Sequence, residues 1–358
     1  MKKTLAAVAI LGAFAGSAMA DVTVYGRIDT GLLYTDNGET ETLEMSNGLS
    51  TGGRWGLKGS TEIAEGVKAG FVLESRVYGD DGDMPDNVKM FDREAVIYVA
   101  GPYGTVYAGR INSFWSDGGS VAMFSNYAAF GTGSAVGQGT GMFVTHSRQD
   151  NTLTYVSPAM AGVKVYAQYA MGGDTKYDVD EGKFYAGEDV VENEATTDRK
   201  YSIGAEYKAG DLGVAFVYTY KNEKSVGVAN VDDEMTVNLA ASYNFGVAKA
   251  KVAAQYFKDA NKVFKLSATE GDLEGFALNV GADVPAFGGT FTVGGTYVEA
   301  ERADDASTDM DGYNVAVQYV YPFSKQVQVY AGIGYTDYTV SDKDADETKA
   351  MAGMVVRF

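Results

Sequence analysis

The chain has 358 residues, with 48 acids against 29 Lys and Arg, a formal net charge of −19 and no cysteine. Its 46% hydrophobic and 12% aromatic content excludes disorder, and the missing cysteine excludes a disulfide or thiolate–metal framework. Past residue 20 no apolar run approaches the ~18 residues of a membrane helix, and the acidic surplus disfavours nucleic acid as a partner.

Residues 1–20 have the form of a cleaved signal peptide. Lys2 and Lys3 supply the basic start, residues 5–16 are apolar but too short to span, and Ala18-Met19-Ala20 is a small-x-small cleavage pattern. Cleavage leaves 21–358, in which no linker marks a second domain. From there the chain reads as period-2 segments of about ten residues, the pattern of amphipathic strands. Trp55 and Leu57 share one face, with Arg54, Gly56 and Lys58 on the other. Phe71, Leu73 and Ser75 oppose Lys68, Glu74 and Arg76, while Leu153 and Tyr155 oppose Arg148, Asp150 and Thr152. The pattern continues through Val163/Val165/Ala167/Tyr169, Tyr201/Ile203/Ala205/Tyr207 and Leu212/Val214/Phe216/Tyr218/Tyr220. Met235/Val237/Leu239/Ala241/Tyr243 and Tyr313/Val315/Val317/Tyr319/Tyr321 repeat it. Aromatic residues recur near segment ends, where a membrane-interface girdle needs them.

Short connections fall at 63–66, 101–104, 157–162, 208–211, 244–247, 285–289 and 322–326. They alternate with longer ones at 35–49, 79–89, 111–147, 172–198, 221–232, 259–272, 299–310 and 337–347. Fifteen connections join sixteen strands, and both termini fall on the short-turn side. That asymmetry predicts an all-β fold, a 16-stranded antiparallel transmembrane β-barrel, and gives a two-sheet sandwich no support. Sixteen strands enclose a water-filled lumen.

The third long connection, 111–147, holds one carboxylate, Asp117, and many small residues, so it is suited to folding back into the lumen. Its glycines sit in no βαβ unit, which removes a dinucleotide reading. Six of nine arginines lie between 27 and 148. Arg27, Arg54, Arg76, Arg93 and Arg148, with Asp117 of the loop, are the candidate constriction residues. For Arg93 the alternation is ambiguous, because Ala95, Ile97 and Val99 share its face. Two readings stand: ion pairing with Asp29, Glu62, Glu74 or Asp150, or a basic ladder that draws anions past the inserted loop. The 172–198 connection carries nine acids against two lysines. These, and Asp80, Asp81 and Asp83, are either solvated loop tips or sites of Ca²⁺ or Mg²⁺ bridging.

Several stretches resemble a known family in their order along the chain. They include Val24-Tyr25-Gly26-Arg27-Ile28-Asp29, Arg54-Trp55-Gly56-Leu57-Lys58-Gly59 and Asn151-Thr152-Leu153-Thr154-Tyr155-Val156-Ser157-Pro158. Ala241-Ser242-Tyr243-Asn244-Phe245-Gly246 and the terminal Val356-Arg357-Phe358 complete the set. Together they resemble a Gram-negative general porin of the beta-proteobacterial kind. The resemblance implies a trimeric barrel in the bacterial outer membrane, in contact with lipid and lipopolysaccharide, with the third loop inside each pore. It implies that Phe358 is read by the barrel assembly machinery, and that Arg54, Arg93 and Arg148 match the arginine cluster of anion-selective members. The Pro-Glu-Phe-Gly-Gly tract of better-known porins is absent from the loop.

The expectation is passive diffusion of small hydrophilic solutes and ions, leaning towards anions, without chemistry or cofactor beyond loop-bound Ca²⁺ or Mg²⁺. The alternative is a channel specific for a sugar or organic acid, with Phe114, Trp115, Phe124 and Tyr127 as an aromatic slide. A hydrolase has little to work with, since His146 is the only histidine available for a Ser-His arrangement. A purely adhesive barrel is distinguished by lack of ion conductance.

Overall fold

The computed structural model describes residues 22–82, 89–146, 148–171, 176–178, 183–185, 199–222, 232–267, 272–303 and 308–358. The signal peptide, Asp83 and the acids of 172–198 lie outside the residues whose side chains are described.

Sixteen antiparallel strands close into a barrel. They are β1 (Thr23–Asp36), β2 (Arg54–Ala64), β3 (Val67–Arg76), β4 (Glu94–Gly101), β5 (Gly104–Asn112) and β6 (Arg148–Val156). Then come β7 (Val163–Ala170), β8 (Arg199–Ala209), β9 (Leu212–Asn222), β10 (Glu234–Asn244) and β11 (Lys249–Ala260). The last are β12 (Leu273–Ala286), β13 (Gly289–Arg302), β14 (Asp309–Pro322), β15 (Val327–Val340) and β16 (Lys343–Arg357). Each strand pairs with its successor, and β16 pairs with β1 from Arg27↔Arg357 to Asp36↔Thr348. Phe358 extends that seam: its N–H donates to Gly26 O at 3.1 Å and its carbonyl accepts from Gly26 N at 3.0 Å.

Burial is inverted relative to a soluble sandwich. Val24, Leu32, Ile97, Leu239 and Val315 are exposed, whereas Thr236, Asn238, Gln255, Asn279 and Asn314 are buried. Apolar side chains that face outward on every strand are stable only against lipid. All seven short turns stand where the sequence places them.

Two of the long connections differ. The 35–49 connection turns tightly at 37–40, where Asn37 Oδ1 accepts from Thr40 N at 2.8 Å, and returns as a strand, Glu41–Asn47, paired with β1. Residues 48–53 then leave the ladder before β2 begins. The 337–347 connection is only Ser341 and Asp342, both at positive φ (47° and 62°), a two-residue hairpin turn. The charges of 343–347 read as loop because hydrophobic alternation vanishes. The backbone ladder needs no such alternation where Asp337 and its cross-strand partner Asp346 both stay wet.

The connection between β5 and β6 lies inside the barrel. The connection, which includes the 3₁₀ turns Phe124–Tyr127 and Gly139–Met142, packs on the inward faces of β7 to β15. Inward amide side chains clamp its backbone. Asn279 Oδ1 accepts from Ala129 N at 2.8 Å, and Asn314 Oδ1 accepts from Gln138 N at 2.9 Å. Gln255 both accepts from Val144 N (2.6 Å) and donates to Val144 O (3.0 Å). Gly281 and Gly294 have no side chain because one there would strike the Ala129 methyl, at 2.6 and 2.8 Å from an added Cβ. Removing a clamp strands buried loop N–H groups, at about 1–3 kcal/mol each. Asn314→Ala and Gln255→Ala should therefore lower the melting temperature of the folded barrel and increase open-channel current noise. A quiet channel of unchanged stability in both variants would contradict the clamp.

Candidate pore constriction

The arginines of β1 to β6 meet on the wall that the loop leaves open. Arg27 and Arg54 both donate from Nε to one acceptor, the Gly52 carbonyl, at 3.1 and 3.3 Å. Glu74 of β3 faces the same space. Its Oε1 lies 3.6 Å from Arg54 Nη1 and accepts from Arg93 Nε at 2.6 Å. Arg93 stands one residue before β4, so the alternation of Ala95, Ile97 and Val99 does not bind it. Its backbone N–H donates to Glu74 O and its buried side chain turns onto the Glu74 carboxylate. Arg148 donates from Nε to Arg93 O at 3.1 Å and from Nη2 to Gly118 O of the loop at 3.3 Å. Gly118 also abuts Arg54: an added Cβ would sit 3.1 Å from Arg54 Nη1.

The charges are layered. Glu74 and Glu94 are 4% and 2% exposed, and Glu94 is occupied by Ser120 N and Oγ of the loop at 2.7 and 2.8 Å. Arg27, Arg54 and Arg148 are half-buried and stand nearer the water. Asp117 is exposed, and its carboxylate accepts from Thr132 N (2.9 Å) and Thr132 Oγ1 (3.0 Å), which ties two parts of the loop together. Arg76 is directly opposite Arg54 in register and is drawn off by Asp92, 3.5 Å away. Both readings of the arginines hold in part. Glu74 pairs with Arg54 and Arg93, and Asp150 with Arg110 at 2.7 Å, whereas Arg27 and Arg148 are held by carbonyls. Glu62 caps Gly66 N instead, and Asp29 is buried against segment 48–53.

The chain and its barrel are matched by known proteins. The Gram-negative porin family matches residues 5–341. The chain belongs to that family. "Outer membrane porin protein 32" of Delftia acidovorans is 28% identical, over 96% of this chain and 91% of its own length. Two solved structures share the fold. The "Anion-selective porin from Comamonas acidovorans" has a TM-score of 0.72 at 21% identity, over 95% of this chain and all of that one. The trimer form of the outer membrane protein OmpT of Vibrio cholerae has 0.61 at 17% identity, over 95% and 99%. The protein is an outer-membrane diffusion channel, of a family whose members are channels rather than enzymes.

One expectation about this porin needs revision. The aromatic slide is overturned: Phe114, Trp115, Phe124 and Tyr127 are at most 5% exposed. They face the wall, where Gly204, Gly213, Ala215 and Ala240 leave room for large rings. Asp80 Oδ1 accepts from Asn47 Nδ2 at 2.8 Å. Among the described residues no three potential metal ligands converge. Sequence reading missed the Gly52 carbonyl, for which the Gly52-Gly53 doublet was the only local signal.

His146 anchors the end of the loop. Its Nδ1 lies 3.1 Å from Lys200 Nζ and its Nε2 3.1 Å from Glu234 Oε1, an arrangement that suits a neutral ring accepting from the ammonium. Burial first, then Lys200 and Lys221, hold its pKa well below the ordinary 6.5. The unfolded chain therefore takes up a proton near pH 6.5 that the folded porin refuses. Stability is complete above that pH and falls below it, by up to ~1.4 kcal/mol per pH unit from this group. Thermal melts in detergent from neutral to about pH 5 should show a steeper acid loss in the wild type than in His146→Gln. Equal slopes would contradict the assignment.

Proposed function

We propose that this porin passes small hydrophilic solutes and ions with a lean towards anions, through a constriction between loop 113–147 and the wall of Arg27, Arg54, Arg93 and Arg148. The observation that carries the reading is the layering of charge: the guanidinium groups of Arg27, Arg54 and Arg148 in front, with Arg93 buried among Glu74 and Glu94 behind them. A relative described as anion-selective shares the fold. The −19 of the whole chain weighs less, since charges more than ~8 Å from an ion are largely screened at physiological salt.

The rest of the reading follows the family. The chain is exported by residues 1–20, Phe358 is presented to the assembly machinery, and three copies associate in lipid and lipopolysaccharide. A trimer form of the Vibrio relative and the pairing of Phe358 with Gly26 on the closing seam support this. Asp80, Asp81, Asp83 and the loop acids of 172–198 are candidate sites for Ca²⁺ or Mg²⁺, and the pore itself needs no cofactor and does no chemistry.

Unit charges ~4 Å apart interact by ~1 kcal/mol in water and ~4 kcal/mol at an effective dielectric of 20. Losing two or three arginines should thus change relative permeability by about tenfold. In a planar bilayer under a KCl gradient, the combined change Arg54→Ser, Arg93→Ser and Arg148→Ser should move the zero-current potential towards cations, most strongly at low salt. Neutralising the acids of 172–198 should move it far less. A larger shift from the loop acids would place control in the outer vestibule and defeat the proposal.

A further inference from the structure

Asp29 is fully buried on the inward face of β1, and the strand beside it comes in two pieces. Glu41–Asn47 pairs with Thr30 to Asp36, and the start of β2 pairs with Thr23 to Arg27. Residues 48–53 therefore stand opposite Ile28 and Asp29 alone. Surplus chain has to leave the ladder, and here it enters the lumen, with Leu49 only 3% exposed.

Asp29 gathers that segment. Its carbonyl oxygen accepts from Gly48 N at 2.9 Å. Its Oδ2 accepts from Ser50 N at 2.9 Å and Thr51 N at 2.7 Å, while Oδ1 accepts from the Tyr330 hydroxyl of β15 at 2.5 Å. Ala135 N of the loop donates to Leu49 O at 2.7 Å, and Gln318 Nε2 of β14 donates to Ser50 Oγ at 2.8 Å. Gly52 follows Thr51, and its carbonyl accepts hydrogen bonds from the Nε–H of both Arg27 and Arg54. An Nε–H held by a fixed acceptor sets the plane of the guanidinium and leaves its Nη groups for other partners. Two like charges would otherwise separate. A carbonyl holds them together without neutralising either.

We infer that Asp29 is a positioning residue for ion selectivity: it fixes segment 48–53 so that the Gly52 carbonyl aligns Arg27 and Arg54 in the constriction. The inference rests on the proposed role of the arginine wall. It makes a prediction opposite in sign to the simplest alternative. If Asp29 acted only through its negative charge, neutralising it would strengthen anion preference. If it acts by position, neutralising it weakens that preference, because the two guanidinium groups lose their common acceptor.

The test is the zero-current potential under a KCl gradient for Asp29→Asn, Tyr330→Phe, the pair Arg27→Ser with Arg54→Ser, and that pair combined with Asp29→Asn. The amide keeps the size of the carboxylate but offers one acceptor oxygen where donors share two. Asp29→Asn should lower the anion-to-cation permeability ratio by about threefold, less than removing the guanidinium groups themselves. Tyr330→Phe, which leaves the carboxylate in place, should shift it the same way by less. Adding Asp29→Asn to the arginine pair should change nothing further. A ratio that rises in Asp29→Asn, or is unchanged in both Asp29→Asn and Tyr330→Phe, overturns the inference. If Asp29→Asn does not assemble, Tyr330→Phe decides alone. Failure of the arginine pair itself to shift the ratio would instead sink the proposed function, so the two failures are told apart.

Discussion

A loop placed inside a water-filled barrel must find partners for its backbone N–H and C=O groups, and everything distinctive about this porin depends on how it does so. Three inward amide side chains, Gln255, Asn279 and Asn314, answer the backbone of 129–144 directly. They can do so because the lipid-facing period leaves every second residue free to be polar. The same parity that makes Leu239 face lipid makes Asn238 face the lumen, where its Oδ1 accepts from Gln255 at 2.8 Å. Membrane insertion and loop placement are thus two consequences of one alternation. The glycines at 281 and 294 and the buried rings of Phe114 and Phe124 then bring the loop hard against β7 to β13, leaving the opposite wall open.

That open wall is organised around carbonyl groups as much as carboxylates. Gly52, Arg93 and Gly118 present oxygens to arginine side chains, and Glu74 answers Arg54 and Arg93 from a buried position. Carbonyl acceptors orient a guanidinium and leave its charge intact, whereas a carboxylate cancels it. The difference determines whether a crowded set of arginines presents net positive potential to a passing ion. The crowding is itself unfavourable, so the groups around it must be held by the rest of the fold.

Much of this was legible in the sequence, and the failures share a cause. Hydrophobic alternation marked the wall strands and their short turns, because lipid on one side enforces a strict period of two. Where neither face is buried in lipid or protein the signal disappears, and the 343–347 stretch was mistaken for a loop although it is paired strand. The Glu41–Asn47 return was missed for the same reason, since most of its side chains are exposed. Arg93 could not be placed by parity because it lies before its strand. The loop aromatics looked like a solute track, yet apolar rings in a lumen bury themselves against small wall residues first. The acceptor that unites Arg27 and Arg54 is a backbone oxygen, and no side-chain pattern reports that.

Loop 113–147 lies within the lumen, and single-channel conductance tests the proposal that it sets the narrowest passage. Shortening the loop between Ser113 and Thr145, with the barrel shown to be folded, should raise conductance well above the wild-type value. An unchanged conductance from a correctly folded channel would mean that the passage is set elsewhere, and the account of the constriction would be wrong.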